Sequence, residues 1–463
     1  MRIGDRFSLP EFLAAATGGP MEVAPYVNDR LVEARQVVDA AVAGDEPVYG
    51  LNTGLGSKVG VKIPPEEIAA HQRRIIEGRA TAVGPKLAGG TGRSMLLSRL
   101  VTAAVGASGM SPSLFDHLLE LFNERADPGV PRWGSIGSSD LAQNAVWALP
   151  IIDAPDAPTL CPKDGLALIS HNALTVAVSA QALDNARRAL NAVKRAALLS
   201  FTGYHANPAI FDAAIHDLRP APGQSQAAAW FREHLRGTVY KPTRVQDALS
   251  FRTLAPLLGA AEDALSRAIA VWEDEANGSP DSPAVIGGEL VSTPNFQTPA
   301  LALAINHVSV ALAQVATSSN ERFARLLVSE LSGLPKDLSP VGGAAAGFVP
   351  GQKAAASLLA QVRTAAMPVH DTPPIAHSVE DVAPMTPHSA YGLEQVAECL
   401  ALLAGIEGRA GLQAHHLRCV DDVGSGLYAI LEPASVLFSG LVDDRPLGPE
   451  FEAMANFLME MDD

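Results

Sequence analysis

Apolar residues recur at three- and four-residue intervals along most of this chain, and few stretches alternate. Residues 28–44 carry that spacing and stop at Gly44. The glycine-bearing stretch 48–62 reads as loop, and 64–82 returns to helical spacing with proline at its start. From 92 to 124, Ala, Leu and Met run so densely that the segment reads as buried helix. Two stretches rich in Pro, Gly and Ser, 127–140 and 153–164, read as loops. Beyond them the spacing predicts long helices over 173–200, 253–275, 299–329, 351–366 and 389–419. Their many alanines permit close helix–helix approach. Only 283–292 reads as a short hairpin. The expected fold class is all-α, a large helical bundle with loops gathered at a site. The 463 residues suffice for two domains, a loop-rich helical one over 1–200 and a long-helix bundle over 201–463.

Composition sharpens this picture. Hydrophobic residues make up 48% and charged residues 18%, enough for a sizeable core and against wholesale disorder. The net charge of −16 repels phosphate backbones and anionic lipids, so neither nucleic acid nor membrane is an expected partner. Cys161, Cys399 and Cys419 form no CxxC pair, which argues against a disulfide framework and a thiolate zinc site. No run reaches the roughly 18 apolar residues of a membrane span. The N-terminus lacks the apolar core of a signal peptide, so the expected compartment is the cytoplasm.

The chemistry begins at Val48-Tyr49-Gly50-Leu51-Asn52-Thr53-Gly54-Leu55-Gly56. Glycines there permit positive φ, and a tyrosine on such a loop can serve as a general base. The plain alternative is a turn with a packed tyrosine. Further segments follow in order: QRRIIEGRATAVGP (72–85), GSIGSSDLA (134–142), KDGLALI (163–169), RPAPGQ (219–224), VQDALSFR (245–252), STPNFQTP (292–299) and SVEDVAPM (378–385). Together with the first loop, this series resembles the histidine and aromatic amino-acid ammonia-lyase family over roughly residues 49–385.

The resemblance implies an all-helical homotetramer with active sites shared between subunits, acting on a small amino-acid-like substrate. It also implies an electrophilic methylidene-imidazolone ring, formed from an internal Ala-Ser-Gly. Here the pattern departs: GSIGSSDLA is one residue shorter than the family's GSVGASGDLA. Anchored on Asp140, Gly137-Ser138-Ser139 stands in place of Ala-Ser-Gly, with Ser138 as the dehydrating residue. A ring from these three residues is one reading; the favoured one is an unmodified loop with no cofactor, because a Cβ at the third position crowds the cyclisation. Ala107-Ser108-Gly109 lies in an apolar helix-end context and is not the counterpart.

By the same resemblance Tyr49 matches the base and Arg252 the arginine that grips the substrate carboxylate, a task suited to its bidentate fork. Gln246, Asn295, Phe296 and Glu380 match pocket positions, Glu380 among the catalytic ones. Ser170-His171-Asn172 replaces Asn-Gly-Thr, Leu249 replaces a second tyrosine and Val382 replaces a histidine. Gly78-Arg79 occupies the selectivity pair. Arg79 reads either as a partner for an acidic group on the substrate or as internally paired with Glu77 or Glu380. His171 could supply a new acid or base. His370, His377 and His388, with Asp371 and Asp381, match no standard zinc spacing, so no metal is expected. His415-His416 reads as surface. The expectation is an ammonia-lyase-like enzyme performing α,β-elimination, or the reverse addition, on an amino acid or related amine, without a standard ring. The alternative is a non-catalytic ligand-binding or assembly homologue.

Overall fold

A computed structural model of the chain describes residues 1–44, 46–55, 60–369, 374–418 and 422–461. Contacts divide it into two compact units, one of Met1–Gln181, Ala268–Leu303 and Pro368–Tyr391, the other of Ala182–Arg267, Ala304–Met367 and Gly392–Asp463. This partition differs from a single division at 200. Its boundaries fall inside the long helices Ala173–Tyr204, Leu254–Ala276 and Pro299–Leu326 and near the start of Thr386–Leu417. At 1.5 Å per residue a 32-residue helix is about 48 Å long, more than the width of one small core.

In the first unit, the helices Leu9–Thr17, Tyr26–Ala43, Ile68–Glu77, Thr91–Ala103, Pro112–Asn123, Leu141–Ile152 and Asp164–Ile169 surround a core that includes Met95, Leu97, Leu118 and Trp147. Local chemistry sets their ends. Ser8 and Glu11 form a capping box, and Ser111 Oγ caps Leu114 N–H ahead of Pro112 in the first turn. Arg99 and Asp281, both buried, form a two-pronged ion pair at 2.9 and 3.2 Å. Removing one partner of such a pair costs about 3–5 kcal/mol. Beside it Lys163 is buried, which lowers its pKa to about 8.

The other unit holds Pro222–Leu235, Gly351–Ala365, Ser425–Leu437 and Gly448–Glu460 with most of the long helices. Within it Arg322 makes a buried pair with Glu407, which also accepts from Ser319 Oγ at 2.6 Å. His415 is buried there rather than exposed: its Nε2 meets Thr202 Oγ1 at 2.9 Å, and burial pulls its pKa to about 4.

The long-helix pattern and the hairpin, Ala284–Ile286 with Glu289–Val291, follow the apolar spacing closely. Elsewhere glycine and proline intervene. The 92–124 run breaks into two helices across a turn with positive φ at Gly106 and Gly109. The 64–82 helix ends at Glu77, and Val83–Lys86 pairs with Pro131–Trp133 inside the stretch read as loop. Two helical stretches, Asp164–Tyr204 and Pro299–Leu326, do have the length and mean hydropathy of a membrane span. The apolar window of the first is 89% buried by the fold, as expected of a core helix, and that of the second is 50% buried.

Candidate functional site

The first unit contains a cavity of about 850 Å³. Its walls include the Tyr49–Leu55 loop, the Ile68–Glu77 helix with Gly78 and Arg79, residues 138–141, Ser170, Phe296–Gln297 and residues 376–382. The tyrosine loop is pinned by Asn52, whose Oδ1 accepts from Val48 N–H at 2.6 Å and whose Nδ2 donates to the Glu46 carbonyl at 2.8 Å. The helix is seated by a close approach. A Cβ on Gly165 would lie 2.3 Å from the Gln72 carbonyl, and Gly165 N–H donates to Gln72 Oε1 at 3.1 Å. That contact turns His71, Arg74, Ile75, Gly78 and Arg79 toward the cavity, a spacing of one helical face.

The loop at 134–140 is held from several sides. Buried Asp140 accepts from Ser135 Oγ and, at 2.7 and 2.9 Å, from Thr175 N–H and Oγ1. Burial nonetheless raises its pKa to about 6. Asn144 Nδ2 lies 2.9, 3.0 and 2.7 Å from the carbonyls of Ser139, Ile169 and His171. Ser138 bridges Gln297, whose Nε2 donates to Ser138 Oγ at 3.0 Å, and Ser139 N–H donates to the Phe296 carbonyl at 3.2 Å.

These contacts test the ring directly. Cyclisation needs Ser139 N to attack the Gly137 carbonyl carbon, yet that N–H is committed to Phe296. Ser139 sits at φ +64, where glycine is favoured, and Gly137 at φ +78. A Cβ at Gly137 would lie 2.8 Å from Thr386 N, so the alanine of the family's tripeptide has no room. The residues present do not fit the ring.

Electrostatics single out Arg79. Its Nη1 donates to the Ile75 carbonyl at 3.3 Å, and it makes no ion pair among the described residues. Glu77 is taken by Arg73 at 2.7 Å. Burial lowers the Arg79 pKa, while nearby Tyr49 and Glu380 act the other way. Glu380 is itself half-buried, which raises its carboxyl pKa against the pull of Arg79.

The cavity thus gathers Tyr49, Gly78, Arg79, Ser138, Ser170, Phe296 and Glu380. His171 stands outside the lining. Its ring is buried, Nε2 meets the Leu168 carbonyl at 2.8 Å, Nδ1 accepts from Ala173 N–H at 3.3 Å, and burial drives its pKa to about 3. With both nitrogens occupied it packs as structure rather than serving as an acid or base. Asn295 is exposed and donates to the Ser279 carbonyl at 3.4 Å. Gln246 and Arg252 belong to the second unit, are exposed, and contact each other at 3.3 Å. His71 and Gln297 line the cavity without a signal in the motifs, and Asp381, considered above only for metal, lines it too. The sequence signal for His71 was its place eight residues before Arg79 on one helical face.

His388 stacks on Trp133 and His377 is exposed, while His370 and Asp371 lie outside the described residues. One His–carboxylate group among the described residues, His117 with Glu120 and Asp156, has its ligand atoms within 4.8 Å of one another. None of the three lines the cavity.

A helical bundle with a tyrosine-bearing glycine loop over such a cavity is the architecture of a carbon–nitrogen lyase. The chain belongs to the aromatic amino acid lyase family, whose model matches residues 7–433. It is 32% identical over 477 residues to a histidine ammonia-lyase of Deinococcus radiodurans, covering 96% of this chain and 90% of that one. A histidine ammonia-lyase of Sorangium cellulosum is 31% identical over 497 residues, covering 99% and 97%. Among solved structures, the ergothioneine-degrading enzyme ergothionase from Treponema denticola, in complex with desmethyl-ergothioneine sulfonic acid, superposes with a TM-score of 0.93 at 25% identity, covering 98% of this chain and 97% of that one. Phenylalanine aminomutase of Pantoea agglomerans shares the fold with a TM-score of 0.93 at 24% identity, covering 99% and 98%. The all-α, lyase-type expectation is borne out.

Proposed function

We propose that this lyase performs α,β-elimination, or the reverse addition, on an amino acid or related amine without a methylidene-imidazolone ring, and that its substrate carries an acidic group. Tyr49 takes the β-proton, the C–H electron pair becomes the Cα–Cβ double bond, and the amine leaves with the C–N pair. With no electrophile to draw electrons, either the β-proton must be more acidic than usual or the leaving group better than ammonia. Arg79 binds the acidic group bidentately, and Glu380 receives the substrate's cationic amino group. Ser138 and Ser170 offer hydroxyls to the bound substrate. The observation that carries this reading is the 137–139 loop, with Ser139 N–H spent on Phe296 beside a cavity arginine that has no ion pair among the described residues. The sulfonic acid on the ligand of the ergothionase structure supports an acidic group in a site of this fold.

Gln246 and Arg252 would grip the substrate carboxylate from a neighbouring copy in a homotetramer. Their exposure supports this, as does that of the apolar side chains Val245 (96%) and Leu249 (67%) on the same segment. Asn295 would join the site in the same assembly. A cytoplasmic location goes with this role.

Intact mass of the purified protein tests the central claim. The expected mass is that of the unmodified chain, with elimination activity on an acidic amino acid or amine. A mass lighter by two waters, with the ring's absorbance band, refutes it.

A further inference from the structure

Away from the cavity, three side chains of the first unit converge from two segments. His117 and Glu120 stand one turn apart on the helix Pro112–Asn123, and Asp156 lies in the loop that follows the helix Leu141–Ile152. One nitrogen of the imidazole and one oxygen of each carboxylate lie within 4.8 Å of one another. Glu120 and Asp156 are exposed, whereas His117 is only 3% exposed. Neither carboxylate makes an ion pair among the described residues, with His117 or with any lysine or arginine. Two like charges so close repel each other, and no basic partner relieves them.

The histidine is prepared as a ligand. Its Nε2 lies 3.1 Å from the Ile151 carbonyl. A carbonyl only accepts, so Nε2 carries the proton, and the neutral ring keeps its lone pair on Nδ1. No hydrogen bond engages Nδ1 among the described residues. Metal-bound histidines share this arrangement: one nitrogen on the ion, the other N–H on a carbonyl that fixes the ring and its tautomer. The Ile151 carbonyl is one of the last four of its helix, which have no partner within it. A packed histidine that caps this helix accounts for Nε2. It does not account for two unpaired carboxylates gathered at the same ring.

We propose that His117, Glu120 and Asp156 form a site for a divalent transition-metal cation, Zn²⁺ in particular, held by Nδ1 and one oxygen of each carboxylate. The imidazole nitrogen favours such a metal over Mg²⁺ or Ca²⁺, which take oxygen ligands. Ligand atoms on one Zn²⁺ lie about 3–4 Å apart, at bonds of about 2 Å. The two exposed carboxylates are free to close to that separation around the fixed imidazole, and the ion neutralises their repulsion. Its role is that of a clamp, since none of the three residues lines the cavity. Asp153, three residues before Asp156, pairs with Arg73 of the Ile68–Glu77 helix at 2.7 Å. The ion thus ties the Pro112–Asn123 helix to a loop that also meets the cavity helix. The site is independent of the elimination reading above.

The test uses the full-length protein after dialysis against EDTA and then metal-free buffer. Co²⁺ is the probe, because its visible absorption reports its ligands, and Zn²⁺ is the competitor. One equivalent of Co²⁺ is expected to bind, to be displaced by Zn²⁺, and to raise the melting temperature. Glu120→Gln with Asp156→Asn should weaken Co²⁺ binding by more than the roughly 10–100-fold that loss of an outer-shell partner causes. His117→Gln should weaken it likewise and remove the preference for Zn²⁺ over Mg²⁺. The carboxylate variant changes only exposed positions, so it keeps the test sound if exchange of the buried histidine disturbs packing. Absence of saturable one-to-one binding overturns the proposal. Undiminished binding in the carboxylate variant also overturns it, since the ion then sits at other histidines. Equal affinity for Mg²⁺ and Zn²⁺ in the parent does so too, as the mark of a diffuse acidic attraction.

Discussion

If the 137–139 loop excludes the ring for steric reasons, rewriting it as the family's tripeptide should not restore the ring. The perturbation is Gly137→Ala with Ser139→Gly. The third position gains the residue that its φ of +64 favours, and by itself that change should be close to neutral. The first position bears the cost. Alanine at φ +78 costs about 1–2 kcal/mol in backbone strain. Its Cβ would also lie 2.8 Å from Thr386 N and 3.1 Å from Pro384 Cγ, and relieving such overpacking costs about 1–3 kcal/mol. Together these predict a loss of about 2–5 kcal/mol, a fall in melting temperature on the order of 5 °C. Intact mass and thermal unfolding, run on the double variant and both single variants, read the two effects apart. The expected outcome is an unmodified mass throughout, with the destabilisation confined to variants that include Gly137→Ala. A double variant lighter by two waters and as stable as the parent would show that the loop accepts the ring geometry, and the steric argument would be wrong.

Three further outcomes follow from the same geometry. Tyr49→Phe should lower elimination by about 10²–10⁴-fold with unchanged folding, the usual range for losing a general base; full turnover in a continuous product assay removes the assignment. Arg79→Leu should raise KM for an acidic substrate by roughly tenfold or more and that for a neutral analogue far less, since a charge-assisted hydrogen bond is worth about 1.5–3 kcal/mol; equal effects on both count against the pocket role. Asp140, with its pKa raised from 3.8 to about 6, binds its proton more tightly folded than unfolded, so its contribution is fully present below pH 3.8 and lost as pH rises through about 6. The stability gap between Asp140→Asn and the parent, from urea unfolding, should therefore move by about 2.4 kcal/mol in favour of the variant between pH 4 and pH 7; a gap independent of pH refutes the burial argument.

The long helices were legible because their apolar spacing persists over 15 to 32 residues, which local exceptions cannot mask. The breaks were not. Gly106 and Gly109 end an apolar run that periodicity alone reads as continuous, and Pro131–Trp133 forms a strand only because Val83–Lys86 is there to pair with it. The chemistry divided in a similar way. Tyr49, Arg79, Ser138 and Glu380 sit in ordered motifs, and the cavity collects all four. His71 carries no motif, and only the packing of its helix brings it to the cavity. His171 misled because histidine at a substituted pocket position suggests a titrating group. The fold instead buries it and occupies both its nitrogens.

Two of the departures from the family pattern, at 137–139 and at 170–172, are distant in sequence and adjacent in space. Ser139 Oγ lies 3.4 Å from Ser170 Oγ, and the one amide of Asn144 gathers the carbonyls of Ser139, Ile169 and His171. His171 donates to Leu168 and accepts from Ala173, so it braces the turn that presents Ser170. The substitutions therefore form one packed cluster, with hydrogen bonds made among its members. Under the proposed function, a cluster that holds the loop uncyclised, facing a cavity lined by Tyr49, Arg79 and Glu380, suits a reaction that does not draw on the ring. On that argument the altered loop and the arginine in the selectivity pair belong to one change of chemistry. Exchanging Ser170 for asparagine alone should disturb the loop without returning the family's reaction. The measurement is turnover of histidine and phenylalanine by Ser170→Asn: ammonia release above the parent's level would break the link between the two segments.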